Sequence, residues 1–400
     1  LYIIYIFYTV NFAPTPYSRL PHPSRSPRPS REGPHLFQPQ SREIWYTIFR
    51  VDGIEGLEAA IGMAVEELEI GDNASAVTRR KFCADALAAS VVSALAPSVY
   101  AKKQAGAKPF VKWAGGKGQL IPQLEALFPA DLATRKDLIY VEPFVGGGAM
   151  VFFMLTNYPN IRSVVINDFN QDLVNAYKVV RDEPQELLES LSAFQNEYRA
   201  CSSVAARKEY YLRQRASYNA RNAGPVKMAA LFIFLNRTCF NGLYRVNSKG
   251  LYNVPFGKAV NPLICDTETI LADSALLKNV EILQGDFEGV YEHVRGKAFF
   301  YFDPPYRPLP NTPSFTAYSK DGFNDEQQRR LARFCRKLDA DGHQWLQSNS
   351  DPANTDPADK FFEELYRGFD IQKVSASRMI NSKADGRGKI MELAIRNYRR

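Results

Sequence analysis

Short hydrophobic segments recur from residue 138 onward, and amphipathic stretches separate most of them. Stretches such as 325–338 place apolar residues at helical spacing, whereas the short segments have the length and composition of buried strands. Alternating strands and helices predict an α/β fold with a mostly parallel sheet covered on both faces. The seven predicted strands are 138–144, 163–168, 280–287, 298–303, 343–350, 370–377 and 390–398.

The alternation stops between residues 183 and 262. Two helical patterns, 184–199 and 208–221, follow one another there and precede a candidate β-hairpin. An insertion with this different pattern predicts a second lobe. The predicted parts are an amino-terminal extension (1–107), a first part of the core (108–182), the lobe (183–262) and a second part of the core (263–400).

The amino-terminal extension differs in composition from the rest of the chain. Residues 1–50 are crowded with Pro, Ser and Arg, so we expect disorder or a translated segment that is not native. The apolar start, LYIIYIFYTV, is too short to span a membrane. Residues 78–100 resemble a twin-arginine export signal, but Asp85 interrupts the apolar part and the segment lies far from the start. We therefore favour a short amphipathic helix or a linker there.

Charge and cysteine content narrow the choice of partners. Fifty Lys and Arg against forty-three Asp and Glu give a net charge of +7, which favours a polyanionic partner, although an ordinary solvated surface explains it equally well. The five cysteines are scattered and form no C-x-x-C pair, so we expect neither a disulfide framework nor a metal site. A reducing, cytoplasmic location without membrane attachment fits this composition.

Ligands of an open α/β sheet bind outside the carboxyl ends of its strands. At such a position the segment EPFVGGGAM (142–150) passes from a strand through Gly146, Gly147 and Gly148 into a helix. These glycines let the backbone approach a ligand closely, although a tight structural turn explains them equally well.

Asp168 ends the next strand, 22 residues after Gly146. An acid at this distance commonly holds ribose hydroxyls, and the alternative is a helix N-cap. In FVKWAGGKGQL, Trp113 and Lys117 offer a stacking face and a cation, or form an ordinary loop.

The segment FFYFDPPYRPL (299–309) ends a buried strand with an acid, two prolines and a tyrosine. Proline cannot donate to a sheet, so the chain leaves it stiffly at Asp303. The Asp303 carboxylate and the Pro304 carbonyl are two acceptors for a planar amine, and Tyr306 offers a ring on which a base can stack. Aligned acceptors help the weakly nucleophilic amine of adenine to attack, because they act where charge develops.

Together these segments resemble the Dam-type DNA adenine-N6 methyltransferases. The resemblance covers residues 108–400, in the order that the family has, and implies a seven-stranded Rossmann-like methyltransferase sheet with an inserted DNA-recognition lobe. The matching segments are KPFVKWAGGKGQL, YVEPFVGGGAMVFF, INDFNQDLVNAY, NRTCFNGLYRVNSKGLYNVPFGK, FDPPYRPL and GRGKIMELAIRNY.

The resemblance also implies ligands and roles. S-adenosyl-L-methionine, the methyl donor, would contact Trp113, Lys117, Gly146, Gly147, Gly148, Asp168 and Asp303, and the flipped adenine would contact Asp303, Pro304 and Tyr306. Double-stranded DNA would contact Lys112 and the hairpin residues Asn241, Leu243, Arg245 and Pro255, with NSKG as the turn between two strands. Arg245 would read a guanine and Lys112 another.

The resemblance points to GATC as the target sequence, to a monomer and to a possible cognate restriction endonuclease. One departure weakens the target assignment, because Lys258 and Ala259 follow NVPFG where some relatives carry an aromatic side chain that reaches DNA. Two alternatives remain open at this point: an amino-methyltransferase acting on RNA or on a protein amide, and a catalytically silent DNA-binding relative.

Overall fold

The described residues fall into two units. The computed structural model describes residues 106–307, 323–377 and 389–399, together with the backbone of two strands near the amino terminus. These strands, β1 (Tyr2–Thr9) and β2 (Ile44–Val51), pair antiparallel as a two-stranded sheet. Contacts divide the chain into residues 1–97 and residues 98–400. The interpretations of residues 10–43 and 52–105, including the twin-arginine segment, lie outside the described residues.

A seven-stranded sheet organises the second part. Its order is β5-β4-β3-β6-β7-β9-β8; the strands from β5 to β7 in that order run parallel, and β9 runs antiparallel to both β7 and β8. The mostly parallel seven-stranded sheet predicted from sequence is therefore confirmed. The strands are β3 (Leu138–Glu142), β4 (Ile161–Asp168), β5 (Val280–Gln284), β6 (Ala298–Phe302), β7 (Gln344–Ser350), β8 (Asp370–Ser377) and β9 (Lys389–Arg396).

Hydrophobic side chains cover both faces of the sheet. Alternate residues of a strand point to opposite faces, so Phe299 and Tyr301 of β6 join one apolar cluster while Phe300 and Phe302 join the other. All five residues of β6 are buried, which is why its sequence is a continuous hydrophobic run. The run ends at Asp303, where the chain reaches the carboxyl edge of the sheet.

Helices pack on these faces and form the inserted lobe. The predicted helix at 325–338 is confirmed as α8, which buries Leu331, Phe334, Cys335 and Leu338 and begins after Asn324, whose side chain accepts from the Gln327 amide. The helices are α1 (Ile121–Glu125), α2 (Ala149–Asn157), α3 (Gln171–Asp182), α4 (Pro184–Ala200), α5 (Val204–Ala220), α6 (Pro225–Thr238), α7 (Thr267–Leu277), α8 (Asp325–Ala340) and α9 (Phe361–Leu365).

The range predicted as a lobe (183–262) contains α4, α5, α6 and the segment that follows them. Helix α6 is buried along most of its length and packs against α3, α4 and α5, so it joins the lobe to the core. Among the described residues, no helix combines the length and the apolar character needed to cross a membrane.

The predicted hairpin exists, but isolated bridges replace its two expected strands. Cys239 pairs with Phe256 and Val246 with Tyr252, and the turn closes where the Gly250 amide donates to the Asn247 carbonyl at 2.8 Å. Side chains of α5 bind outward-facing backbone groups of the returning segment, whose inward-facing groups pair across the hairpin, as where the Asn253 amide donates to the Arg245 carbonyl at 3.1 Å. Asn219 accepts from the Tyr252 amide at 2.8 Å and donates to its carbonyl at 3.0 Å, and the hydroxyl of Tyr211 donates to the Val254 carbonyl at 2.7 Å.

Candidate active site

A cavity of about 570 Å³ opens at the carboxyl edge of the sheet. The structure brings together there all the residues that the sequence predicted for the cofactor and the target base: Trp113, Lys117, Gly146, Gly147, Gly148, Asp168, Asp303, Pro304 and Tyr306. The five residues predicted to contact DNA do not line this cavity as the structure describes it. They lie at the lobe and on the loop that packs against it.

The glycine turn requires its glycines for steric reasons. Gly146 and Gly148 have φ values of 48° and 81°, which residues other than glycine rarely adopt. A Cβ atom at Gly146 would lie 2.9 Å from Trp113 Cδ1, and one at Gly147 would lie 2.9 Å from Trp113 Cβ. The Trp113 side chain therefore packs directly on this turn. The backbone of the turn faces the cavity without intervening side chains.

Asp168 ends β4 and holds the glycine turn. Its Oδ2 accepts from the Gly146 amide at 3.0 Å and its Oδ1 from the Asn170 amide at 2.8 Å. The alternative that Asp168 is the N-cap of α3 is wrong, because the Asn170 side chain accepts from the Asp172 and Leu173 amides. Burial raises the pKa of Asp168 although three backbone amides oppose the rise. The next residue, Phe169, also lines the cavity and is 66% exposed.

Asp303 forms an ion pair with Lys117. Lys117 Nζ lies 3.1 Å from Asp303 Oδ1 and donates to the Gly115 carbonyl at 2.7 Å, while its side chain is almost fully buried. Ser348 on β7 donates its hydroxyl to the same Asp303 oxygen at 3.0 Å. Burial raises the pKa of Asp303, and Lys117 and Ser348 limit that rise. Lys117 is thus placed against the acid of residues 303–306, the corner at which the chain leaves β6.

Tyr306 is restrained at its hydroxyl and on one face of its ring. The hydroxyl donates to Glu392 Oε2 at 2.6 Å, and Lys117 Nζ lies 4.3 Å from the ring centre. Among the described residues, no hydrogen bond reaches the Pro304 carbonyl. The corner thus presents the Asp303 carboxylate, a free carbonyl and an aromatic ring to one cavity, as its sequence predicted.

Buried side chains fix the backbone of the corner. Gln328 on α8 donates to the Pro305 carbonyl at 3.1 Å, and Asn349 on β7 accepts from the Arg307 amide at 3.3 Å. The Arg307 guanidinium then pairs with Asp325 at 2.8 Å and Asp359 at 2.6 Å. These contacts, with two prolines that lack an amide hydrogen, leave the corner little freedom to move.

Several cavity residues were missed in the sequence. Asp286 follows β5 in QGDF, so the rule that identified Asp168 also indicates it; its carboxylate accepts from Arg330 at 2.7 Å. Glu142 ends β3, is 2% exposed and accepts from the Tyr140 hydroxyl at 2.9 Å, and burial raises its pKa well above the usual range. Glu392 enters the cavity from the antiparallel strand β9.

The loop that carries Trp113 is joined to the base of the hairpin. The Asn236 side chain on α6 accepts from the Lys112 amide at 2.8 Å and donates to the carbonyls of Lys112 and Gly242 at 2.8 and 2.9 Å. The rings of Trp113 and Tyr244 stack with centroids 5.7 Å apart. One wall of the cavity and the hairpin therefore share direct contacts.

The exposed residues of the hairpin lie around this base. Asn241 is exposed and has a φ of 55°, Leu243 is half-buried, and Pro255 is exposed on the returning segment. Arg245 is exposed, and its Nε donates to the Asn253 side chain across the hairpin at 2.7 Å. Lys112 is exposed and its aliphatic stem packs against Gly242. The structure thus places Lys112 beside the hairpin, far from it in sequence.

Known proteins match most of this chain in sequence. Residues 113–380 match the family model described as D12 class N6 adenine-specific DNA methyltransferase. The Type II methyltransferase M.MjaIII of Methanocaldococcus jannaschii is 49% identical over 73% of this chain and 99% of its own length. The Type II methyltransferase M1.LlaDCHI of Lactococcus lactis subsp. cremoris is 39% identical over 74% and 98%. The DNA adenine methylase of Escherichia coli K12 is 31% identical over 72% and 94%.

The chain belongs to the D12 class of N6 adenine-specific DNA methyltransferases. It is an enzyme that transfers a methyl group from S-adenosylmethionine to N6 of adenine in DNA. The donor fits the site, because the glycine turn exposes its backbone to a cavity of about 570 Å³ between Asp168 and Asp303. Membership of this class also decides against the RNA or protein-amide substrates and the silent relative that the sequence had left open.

Proposed function

We propose that this enzyme methylates adenine within GATC in double-stranded DNA, and that its cavity holds the donor and the flipped base side by side. The observation that carries the proposal is the corner at residues 303–306, where a carboxylate, an unoccupied carbonyl and a ring line the same cavity as the glycine turn. The lobe at 183–262 supplies the contacts to DNA.

The donor lies against the glycine turn. The backbone of Gly146, Gly147 and Gly148 approaches it closely, and Trp113 forms the adjoining wall. Asp168 keeps lone pairs for ribose hydroxyls while its backbone bonds hold the turn in place. The partly exposed Phe169 offers the donor an apolar surface. Lys117 takes part through Asp303, with which it forms an ion pair.

The corner prepares the target amine. The donor supplies a methyl group on a sulfonium sulfur, which leaves as a neutral thioether. Asp303 and the Pro304 carbonyl accept hydrogen bonds from the two N–H groups of the amine, so its lone pair is directed toward the methyl group. Positive charge develops on the amine as it attacks, and these two acceptors stabilise that charge before the proton is lost to solvent.

Tyr306 holds the flipped base by stacking. Its ring has Lys117 against one face, 4.3 Å from its centre, and its hydroxyl is tied to Glu392. A base extruded from the duplex can stack on the remaining face. Because every base has an aromatic face, Tyr306 contributes affinity, whereas the two acceptors at Asp303 and Pro304 select an exocyclic amine.

The hairpin reads the target sequence. Asn253 accepts from Nε of Arg245 at 2.7 Å and from Nη2 at 3.4 Å, and the remaining N–H groups of the guanidinium face N7 and O6 of a guanine. Lys112 reaches the same surface and contacts another guanine, and Asn241, Leu243 and Pro255 contact neighbouring bases. Lys258 is exposed, and the Ala259 carbonyl accepts from the Tyr198 hydroxyl of α4 at 2.5 Å. Because neither residue is aromatic, no ring reaches DNA from these two positions.

The enzyme acts as a monomer in the cytoplasm, and a cognate restriction endonuclease recognises the same site. The relatives named Type II methyltransferases support the endonuclease. The net charge of +7 favours DNA as the macromolecule that the surface meets.

Modification-sensitive sequencing tests the proposal. The protein is expressed in a host without adenine methylation of its own, and an Asp303→Ala variant serves as the inactive control. We expect N6-methyladenine at GATC with the wild type and unmodified DNA with the variant. Methylation at another motif would refute the GATC assignment, and methylation by the Asp303→Ala variant would refute the assigned role of the corner.

A further inference from the structure

Glu392 reaches the cavity from a strand that runs against its neighbours. Strand β9 is antiparallel to β7, and Glu392 pairs with Ser350, the last residue of β7. The first half of β9 therefore lies at the carboxyl edge of the sheet, where β6 ends at the corner. This reversal allows a side chain from the middle of a strand to line the cavity beside Tyr306.

The contact between Glu392 and Tyr306 is short and partly shielded from solvent. The Tyr306 hydroxyl donates to Glu392 Oε2 at 2.6 Å, and among the described residues this is the hydrogen bond that the Glu392 carboxylate accepts. Burial raises the pKa of Glu392, while Lys117 and the tyrosine hydroxyl oppose the rise. A hydrogen bond to a charged acceptor in such surroundings is stronger than one in water.

Two groups therefore restrain the Tyr306 ring in different ways. Lys117 lies over one face, 4.3 Å from the ring centre, and blocks that face. Glu392 holds the hydroxyl at the far end of the ring and so limits its rotation. A ring held in this way presents its other face in one orientation, and a preorganised stacking surface loses less entropy when a base binds.

We propose that Glu392 is a positioning residue for the target base, acting through the Tyr306 hydroxyl. The inference rests on the proposed function of Tyr306 as the stacking surface. In this proposal Glu392 acts on the base through the Tyr306 hydroxyl. Its effect passes through one hydrogen bond, so removing either end of that bond has the same consequence.

A double-mutant cycle tests this dependence. The four proteins are the wild type, Glu392→Ala, Tyr306→Phe and the double variant, assayed on duplex DNA carrying the target. We expect each single variant to lower kcat/KM about tenfold, as for the loss of a hydrogen bond to a charged group. The double variant should lose no more than about twofold beyond Tyr306→Phe, because coupled residues are not additive. In complexes with DNA that carries 2-aminopurine at the target position, the fluorescence of this base should fall in the same variants that lose kcat/KM.

Two further variants separate positioning from a general effect on the fold. Glu392→Gln keeps an acceptor oxygen, so it should recover most of the activity that Glu392→Ala loses, whereas Glu364→Gln on the exposed face of α9 is a matched charge control and should equal the wild type. Calorimetry should give unchanged affinity for S-adenosylmethionine in every variant.

The inference would be overturned if Glu392→Ala lowered kcat/KM by the same factor in the wild type and in the Tyr306→Phe variant. Full activity of Tyr306→Phe would overturn it as well. The second result decides the question even if Glu392→Ala does not fold. Absence of DNA methylation by the wild type would instead overturn the proposed function. The two failures are therefore distinguishable.

Discussion

Two opposing effects act on the Asp303 carboxylate. Burial raises its pKa, whereas Lys117, 3.1 Å away, favours the ionised form. An ionised carboxylate accepts hydrogen bonds from both sides, but a protonated one donates a hydrogen and loses that capacity. The protonation of this one group should therefore limit methyl transfer at acid pH.

The pH dependence of the Lys117→Met variant tests this balance. Because Lys117 lowers the pKa of Asp303, removing the cation raises that pKa further, and the acid limb of the kcat profile should move to higher pH. The measurement is kcat at saturating donor and DNA between about pH 5 and pH 8. Lys136→Met, an exposed lysine at the amino edge of the sheet, is the control and should keep the wild-type profile. An unshifted acid limb in Lys117→Met would show that Asp303 does not control it.

Gly146, in the glycine turn between β3 and α2, and Gly118, in the loop that carries Lys117, provide a matched pair of substitutions. Gly146 has a φ of 48°, and a Cβ there would lie 2.9 Å from the Trp113 ring, whereas a Cβ at Gly118 would meet nothing within 4 Å. Gly146→Ala should weaken S-adenosylmethionine binding at least tenfold, because a left-handed residue with a side chain costs about 1–2 kcal/mol and Trp113 must also move. Gly118→Ala should bind the donor normally. Equal affinities in calorimetry would refute a close approach of donor and turn.

Strands such as β3 and β6 were predictable because they are buried on both faces, but the position of a side chain on an antiparallel strand was not. Searching after the ends of parallel strands located Asp168 and Asp303, and the same rule applies to Asp286. It fails for Glu392, because β9 reverses direction and presents the start of the strand at that edge. The ion pair between Lys117 and Asp303 was equally hidden, since its partners are far apart in sequence. Sequence identified both residues but not the contact between them.

The hairpin combines a turn that the sequence predicted with contacts to α5 that it did not predict. Its turn was predictable from NSKG, whereas the contacts of Asn219 and Tyr211 on α5 with the outward-facing backbone of the returning segment were not. The hairpin is therefore held by the lobe. Asn253 engages Nε and Nη2 of Arg245, and we expect the remaining N–H groups of the guanidinium to face DNA.

Arg245→Ala distinguishes a base contact from a phosphate contact. If Arg245 reads a guanine, the variant should lose about 1–3 kcal/mol on GATC and discriminate less against duplexes changed at that guanine. Lys249→Ala, on the exposed turn of the same hairpin, is the control and should keep the wild-type discrimination. Methylation rates on singly substituted duplexes at two salt concentrations give the answer. Uniform weakening on every duplex, with a salt slope smaller by about one unit, would assign Arg245 to the phosphate backbone.

The resemblance to known methyltransferases covers one part of the whole chain. The family match spans residues 113–380, and the relative from Methanocaldococcus jannaschii aligns over 99% of its own length but 73% of this chain. The seven-stranded sheet, the lobe and every cavity residue lie within residues 98–400, one of the two units that contacts define. We therefore predict that the catalytic machinery works without the preceding segment.

A chain beginning at Lys102 should therefore fold and methylate DNA with kcat and KM within about twofold of the full chain, because terminal segments outside a domain core are commonly dispensable. A chain beginning at Leu120 is the matched control. It lacks Trp113, which packs on the glycine turn, and Lys117, which pairs with Asp303, so it should neither bind S-adenosylmethionine nor methylate DNA. Circular dichroism and calorimetry on both shortened chains separate loss of fold from loss of binding. If the chain from Lys102 folds but is inactive, residues before it contribute to catalysis or to DNA binding, and the boundary at residue 107 is wrong.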